Sequence, residues 1–134
     1  ELQCAAENFV SLKVAEKVDM IRLVKTTMRE NPDRILVGEV RDGAAHALLK
    51  AWNTGHPGGV ATIHANSACA GLTRMEQLVQ EAIKIPMPAL IAEAVDLVVF
   101  IEKYYGNRRI KEILCVVGHD GQSYLTESTG EQNG

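Results

Sequence analysis

The chain has 134 residues, enough for one domain with a single core, and 46% of them are hydrophobic against 23% charged, the balance of an ordinary globular protein. Its net charge of −3 gives no basis for strong direct binding to nucleic acid, and no stretch reaches the ~20 apolar residues that cross a bilayer. Cys4, Cys69 and Cys115 are odd in number and far apart, forming neither a CxxC pair nor a disulfide framework, so three buried, reduced thiols of a cytoplasmic protein are expected.

No signal peptide is visible, and the chain opens at Glu1 without a methionine, which points to a piece of something longer. Val10, Leu12 and Val14 alternate with polar residues, the pattern of a short half-buried strand. The period then changes: Met20, Ile21, Val24, Thr27 and Met28 share one helical face, and Asn31-Pro32-Asp33 ends that helix. Ile35-Leu36-Val37 is a continuous apolar run that fits a central parallel strand. It leads into Gly38-Glu39-Val40-Arg41-Asp42-Gly43, where Asp42 suits the N-cap of an alanine-rich helix from Ala44 to Trp52. Gly55 suits the end of that helix.

A second buried strand, Val60-Ala61-Thr62-Ile63, ends at His64. Asn66 or Ser67 caps a third helix with Leu72, Met75, Leu78, Val79, Ala82 and Ile83 on one face, broken by Pro86 and Pro88. A short helix near Leu90 to Ala94 follows. Leu97 to Ile101 and Ile110 to Val117 read as strands joined through Gly106-Asn107, and a final short strand is expected near Tyr124. Residues 128–134 form a small, polar tail expected to be disordered. The order is strand, helix, strand, helix, then a strand meander, so the class is α/β with an antiparallel extension.

In open α/β sheets ligands bind beyond the carboxyl ends of parallel strands. Two buried strands finish in ionisable residues, Glu39 and His64, so parallel pairing would bring both to one rim. An acid and an imidazole there could act on a phosphate, a water or a metal, and periodicity goes no further. Each residue has a structural alternative: an acid after a strand caps a turn, a histidine at a strand end is satisfied in the core, and Arg41 pairs with a nearby carboxylate. His46, His56, His64 and Cys69 are metal-ligand types, but their spacing matches no standard zinc pattern. A hydrolase reading lacks the Gly-x-Ser-x-Gly elbow, and Gly55, Gly58 and Gly59 precede no Gly-Lys-Ser/Thr.

Arg34-Ile35-Leu36-Val37-Gly38-Glu39-Val40-Arg41-Asp42 resembles the Walker B segment of the secretion-superfamily ATPases, in which a glycine stands in place of the usual aspartate and the glutamate follows. Thr54-Gly55-His56-Pro57-Gly58-Gly59-Val60-Ala61-Thr62-Ile63-His64-Ala65-Asn66-Ser67 resembles that family's His box, and Glu1-Leu2 the tail of its Asp box. Leu2-Gln3-Cys4-Ala5-Ala6-Glu7-Asn8 and Ala51-Trp52-Asn53-Thr54-Gly55-His56 are most similar to conjugal-transfer ATPases of the TrbB type, within type IV secretion. Type II secretion and pilus-assembly motors share the central motifs.

The resemblance implies the carboxy-terminal half of a RecA-like P-loop NTPase domain over residues 1–127, with parallel central strands, flanking helices and an antiparallel meander. It implies a homohexamer that uses ATP and Mg2+ and sits in the cytoplasm, docked peripherally at the inner membrane through secretion or conjugation components. It gives Glu39 the attacking water, His64 the γ-phosphate and Glu1 a place in the acidic group near the magnesium, with Glu39 reaching the ion through water. Arg41 is placed near the nucleotide without a direct catalytic role. The family's Walker A loop, Gly-x-x-x-x-Gly-Lys-Ser/Thr, is missing from these 134 residues and would lie upstream of Glu1. The chain alone is therefore expected neither to bind ATP tightly nor to hydrolyse it. The competing readings are a non-catalytic interaction module of a secretion complex and an unrelated α/β protein.

Overall fold

A computed structural model describes residues 4–129. Helix α1, Met20–Arg29, starts at Asp19, whose carboxylate accepts the Arg22 backbone N–H at 2.8 Å, and Arg29 in the last turn suits the negative end of the helix dipole. Asn31, in the left-handed region at φ 50°, and Pro32 turn the chain into strand β1, Leu36–Val37. Helix α2, Ala44–Asn53, begins where the Asp42 carboxylate accepts the Ala44 N–H at 2.9 Å. It ends at Gly55, φ 105°. Strand β2, Val60–Ala61, then pairs parallel with β1, Leu36 opposite Val60 and Val37 opposite Ala61.

Helix α3, Ala68–Ile83, stops at Lys84, again left-handed at φ 56°. Helix α4, Pro88–Ala94, opens with its proline at the first turn, where the missing N–H costs nothing. Three antiparallel strands complete the fold: β3 Leu97–Tyr104, β4 Asn107–His119 and β5 Tyr124–Ser128.

Helix α2 is the centre of the core and touches α1, α3 and α4. Leu48 and Leu49 of α2, Leu72, Leu78 and Val79 of α3, and Ile91 of α4 are almost wholly enclosed, each worth about 1.5–3 kcal/mol of burial. One face of the meander closes the core: Val98 packs over Gly71 of α3, and the Tyr124 hydroxyl donates to Glu76 of α3 at 2.6 Å.

Six local expectations change. The second apolar run is not a buried strand: β2 is two residues long and Val60 is 62% exposed, because among the described residues it has a ladder partner on one side only. The N-cap of α2 is Gly43, with Asp42 one residue before it. Residues 10–14 form no strand; Phe9, Val10, Leu12 and Val14 are exposed, because no described segment offers them a ladder partner. The hairpin between β3 and β4 turns on Tyr105-Gly106, one residue earlier than expected. Both have positive φ, 45° and 82°, as a type I′ turn requires, and Asn107 already pairs with Tyr104. Strand β5 continues to Ser128 opposite Leu114, so the polar tail begins later, and residues 130–134 lie outside the described residues. The three cysteines are free but not buried: Cys4 and Cys69 are exposed and Cys115 is half-buried.

Candidate active site

The register of β1 and β2 carries past their last paired residues. The Thr62 hydroxyl donates to the Gly38 carbonyl, and the Val40 N–H donates to the Thr62 carbonyl at 2.9 Å. Parallel strands held in this step place the residue after Gly38 beside the residue two after Thr62. His64 Nε2 accordingly stands 3.2 Å from Glu39 Oε1. The Glu39 side chain is 38% exposed and the His64 side chain 93% exposed, so the imidazole projects from the rim while the carboxylate is partly sheltered. The rim expected from the apolar runs is therefore present.

Glu39 also lines a cleft of about 260 Å³ with Gly38, Arg41, Asp42, Asp19, Met20 and Val14. Arg41 is exposed in this cleft. Glu1 lies outside the described residues. Of the residues singled out in the sequence, Glu39 and His64 thus meet at one end of the parallel pair, and Arg41 shares the cleft with Glu39. His46 and His56 do not: His46 is within α2, and His56 is buried with Nδ1 2.7 Å from the Pro32 carbonyl oxygen, a satisfied structural histidine.

The two short strands are held in place from outside. The Trp52 indole N–H donates to the Ile35 carbonyl at 3.1 Å, tying α2 to the start of β1. Gly59 is required at this junction, since a Cβ there would fall 2.0 Å from the Trp52 ring nitrogen and 2.6 Å from the Ile35 carbonyl oxygen. Beyond His64, the Ser67 hydroxyl accepts the Ala70 N–H at 3.0 Å, and Glu112 of β4 accepts the Ala68 N–H at 2.9 Å. Each strand therefore runs from the rim into the amino terminus of a capped helix. In sequence, α2 begins five residues after Glu39 and α3 four residues after His64.

Sequence reasoning missed Glu112 and the Thr62 clamp. Glu112 reaches Ala68 across 44 positions, a separation at which no local periodicity gives a signal. Thr62 was legible only as a strand residue, because its hydroxyl contact depends on the register.

A carboxylate that accepts hydrogen bonds, beside an imidazole that donates or accepts at Nε2, can orient a water and contact a phosphoryl oxygen. The family model described as Type II/IV secretion system protein matches residues 1–103. The conjugal transfer protein TrbB of Rhizobium radiobacter is 58% identical over 127 residues, 95% of this chain and 39% of the relative. The type IV secretion system protein VirB11 of Bartonella quintana is 30% identical over 125 residues, 84% of this chain and 35% of the relative. A solved structure, the VirB11 ATPase from the Brucella suis type IV secretion system, superposes with a TM-score of 0.64 at 27% identity, covering 68% of this chain and 30% of that one. The chain thus spans about two fifths of the length of the TrbB relative it matches. The order of its elements, the paired strand ends and the matched residues together place it: the chain belongs to the type II/IV secretion system protein family.

Proposed function

We propose that this chain is the Walker B and His-box part of an ATP-hydrolysing motor that powers type IV secretion or conjugative transfer. The observation that carries the reading is the 3.2 Å approach of His64 Nε2 to Glu39 Oε1 at the carboxyl ends of two parallel strands. In the proposed reaction a water oxygen attacks the γ-phosphorus of ATP, the bond to the β,γ-bridging oxygen breaks, and ADP leaves. Glu39 orients that water and takes its proton. His64 contacts a γ-phosphate oxygen.

The donor set fits the terminal-phosphate end of such a site. Glu39 is a hard oxygen donor at the cleft, of the kind that holds magnesium through water, and Glu1 is the second carboxylate proposed for the ion. Magnesium, when bound, neutralises phosphate charge. Arg41 in the same cleft adds a cation on the nucleotide side. The loop that cradles the other phosphates is not among these 134 residues, so the complete site belongs to a longer protein. That protein is proposed to be a homohexamer docked through partner components at the inner face of the membrane. No helix among the described residues is long and apolar enough to cross a bilayer.

The test is Glu39→Gln in the full-length protein. Assembly is expected to stay intact while ATP turnover falls at least ~100-fold, the scale on which a positioned proton acceptor acts. Unchanged turnover in the Glu39→Gln protein would refute the role given to Glu39, and a full-length protein without ATP turnover would instead support a non-catalytic interaction module. The 134-residue chain alone should give no measurable hydrolysis, and turnover by it that Glu39→Gln removes would contradict the requirement for the phosphate loop.

A further inference from the structure

Side chains fasten the segment around β1 at regular intervals. Three carbonyls spaced three residues apart, those of Pro32, Ile35 and Gly38, are each met by a side chain from between Trp52 and Thr62. His56 Nδ1 lies 2.7 Å from the Pro32 carbonyl oxygen, the Trp52 indole N–H donates to Ile35 at 3.1 Å, and the Thr62 hydroxyl donates to Gly38. His56 is buried and Trp52 half-buried, whereas Thr62 is exposed. The third tie is therefore the one for which water competes most. It also stands just past the last ladder pair, Val37 opposite Ala61, where the rim begins.

Thr62 makes a second bond there, accepting the Val40 N–H at 2.9 Å through its own carbonyl. Its two bonds fall on either side of Glu39. The Gly38 carbonyl belongs to the planar peptide that enters the Glu39 α-carbon, and the Val40 N–H to the planar peptide that leaves it. With both planes held, the two soft backbone dihedrals of Glu39 are held too, and with them the direction of its Cβ. His64 follows Thr62 by two residues, so one anchor serves both members of the pair that meets at 3.2 Å. We infer that Thr62 is a positioning residue for the proposed hydrolysis: its hydroxyl aims the Glu39 carboxylate at the attacking water and takes no part in the bond changes. A threonine hydroxyl has one proton to donate, and the Gly38 carbonyl takes it. β-branching suits a strand by itself, but valine supplies that equally, so removal of the hydroxyl separates positioning from strand propensity. The inference rests on the reading of Glu39 as the residue that orients the water.

The experiment compares Thr62→Val, Thr62→Ser and Glu39→Gln in the full-length protein, reading ATP turnover and amide hydrogen exchange at Val40. Thr62→Val should lower kcat roughly 10- to 100-fold, the scale on which misplacing a group by about 1 Å acts, while KM for ATP stays within about twofold of the parent. Exchange at Val40 should quicken. Thr62→Ser restores a hydroxyl and should return both readouts toward the parent. Thr62→Ala should repeat the loss, which shows that the cause is the missing hydroxyl and not the new methyl of valine. Thr62→Val added to Glu39→Gln should bring no further fall, because both act through one carboxylate. An unchanged circular dichroism spectrum establishes that each variant is folded. Parental kcat in Thr62→Val beside lost turnover in Glu39→Gln overturns the inference and leaves the role of Glu39 standing. Unchanged turnover in Glu39→Gln removes that role and the inference with it. A raised KM at parental kcat, no rescue by serine, or an additive loss in the double variant overturns the inference as well.

Discussion

The two sheets of this chain are built by opposite strategies. The parallel pair β1 and β2 is two residues long on each side, yet it carries the acid and the imidazole. The meander uses strands of eight, 13 and five residues joined by tight turns, and it carries no part of the candidate site except the Glu112 cap. Parallel strands need a crossover through a helix before they can pair, whereas hairpins pair with their nearest neighbour in sequence. The site therefore stands on the sheet least able to hold itself. Its geometry is imposed by α2 through Trp52 and Gly59, and by α3 through the caps at Ser67 and Ala68.

The broadest perturbation is Leu78→Ala. Leu78 is fully enclosed where α3 meets the rest of the core, and its truncation should cost about 2–5 kcal/mol. Urea unfolding should remain a single transition at a lower midpoint. Amides of β3 and β4 that stay protected from hydrogen exchange while β1 and β2 open would break the picture of one core serving both sheets.

Gly59→Ala comes next and acts on the parallel pair alone. The new methyl meets the indole ring and a backbone carbonyl, neither of which can swing aside, and it severs the bond from Trp52 to Ile35. A loss of about 2–4 kcal/mol is expected from overpacking and one hydrogen bond, with exchange protection lost at Val40, whose N–H bonds to Thr62, and kept in α2 and β4.

Tyr124→Phe sharpens the comparison from the other side, because it removes the bond from the meander to Glu76. The cost should be about 1.5 kcal/mol, confined to β5 and the adjoining part of α3. Burial, then the bond to Glu76, raises the Tyr124 hydroxyl well above the ordinary phenol value. Its contribution is therefore complete below about pH 10, where the unfolded phenol ionises. It is lost as the pH climbs toward the higher folded value. A tyrosinate absorbance titration should lack the latest transition in Tyr124→Phe.

Ser67→Ala is the mildest. The cap on Ala70 is lost while Glu112 still holds Ala68, so about 1 kcal/mol is expected, read as a small fall in midpoint with the meander untouched.

Much of the site was legible before any coordinates. Two apolar runs ending in Glu39 and His64 were enough to place both groups on one rim, because parallel pairing fixes which strand ends meet. The start of α2 beside Asp42, though with Gly43 at the N-cap itself, and its stop before Gly55 followed from residue type. The illegible parts were contacts across long separations: Glu112 on Ala68, Trp52 on Ile35, Tyr124 on Glu76. The apolar alternation from Val10 to Val14 misled for a related reason, since alternation reports a willingness to pair and not the presence of a neighbour. At the hairpin the choice between two adjacent turn registers was decided by tolerance of positive φ at Tyr105, which that residue type does not advertise.

Trp52 is the sole tryptophan of the sequence. Its ring nitrogen is bonded to the carbonyl that precedes β1, and its ring faces Gly59 just before β2. The chain consequently contains its own optical gauge of the rim: any binding event that shifts the two strands changes the polarity around the indole and moves its emission wavelength, with no dye attached.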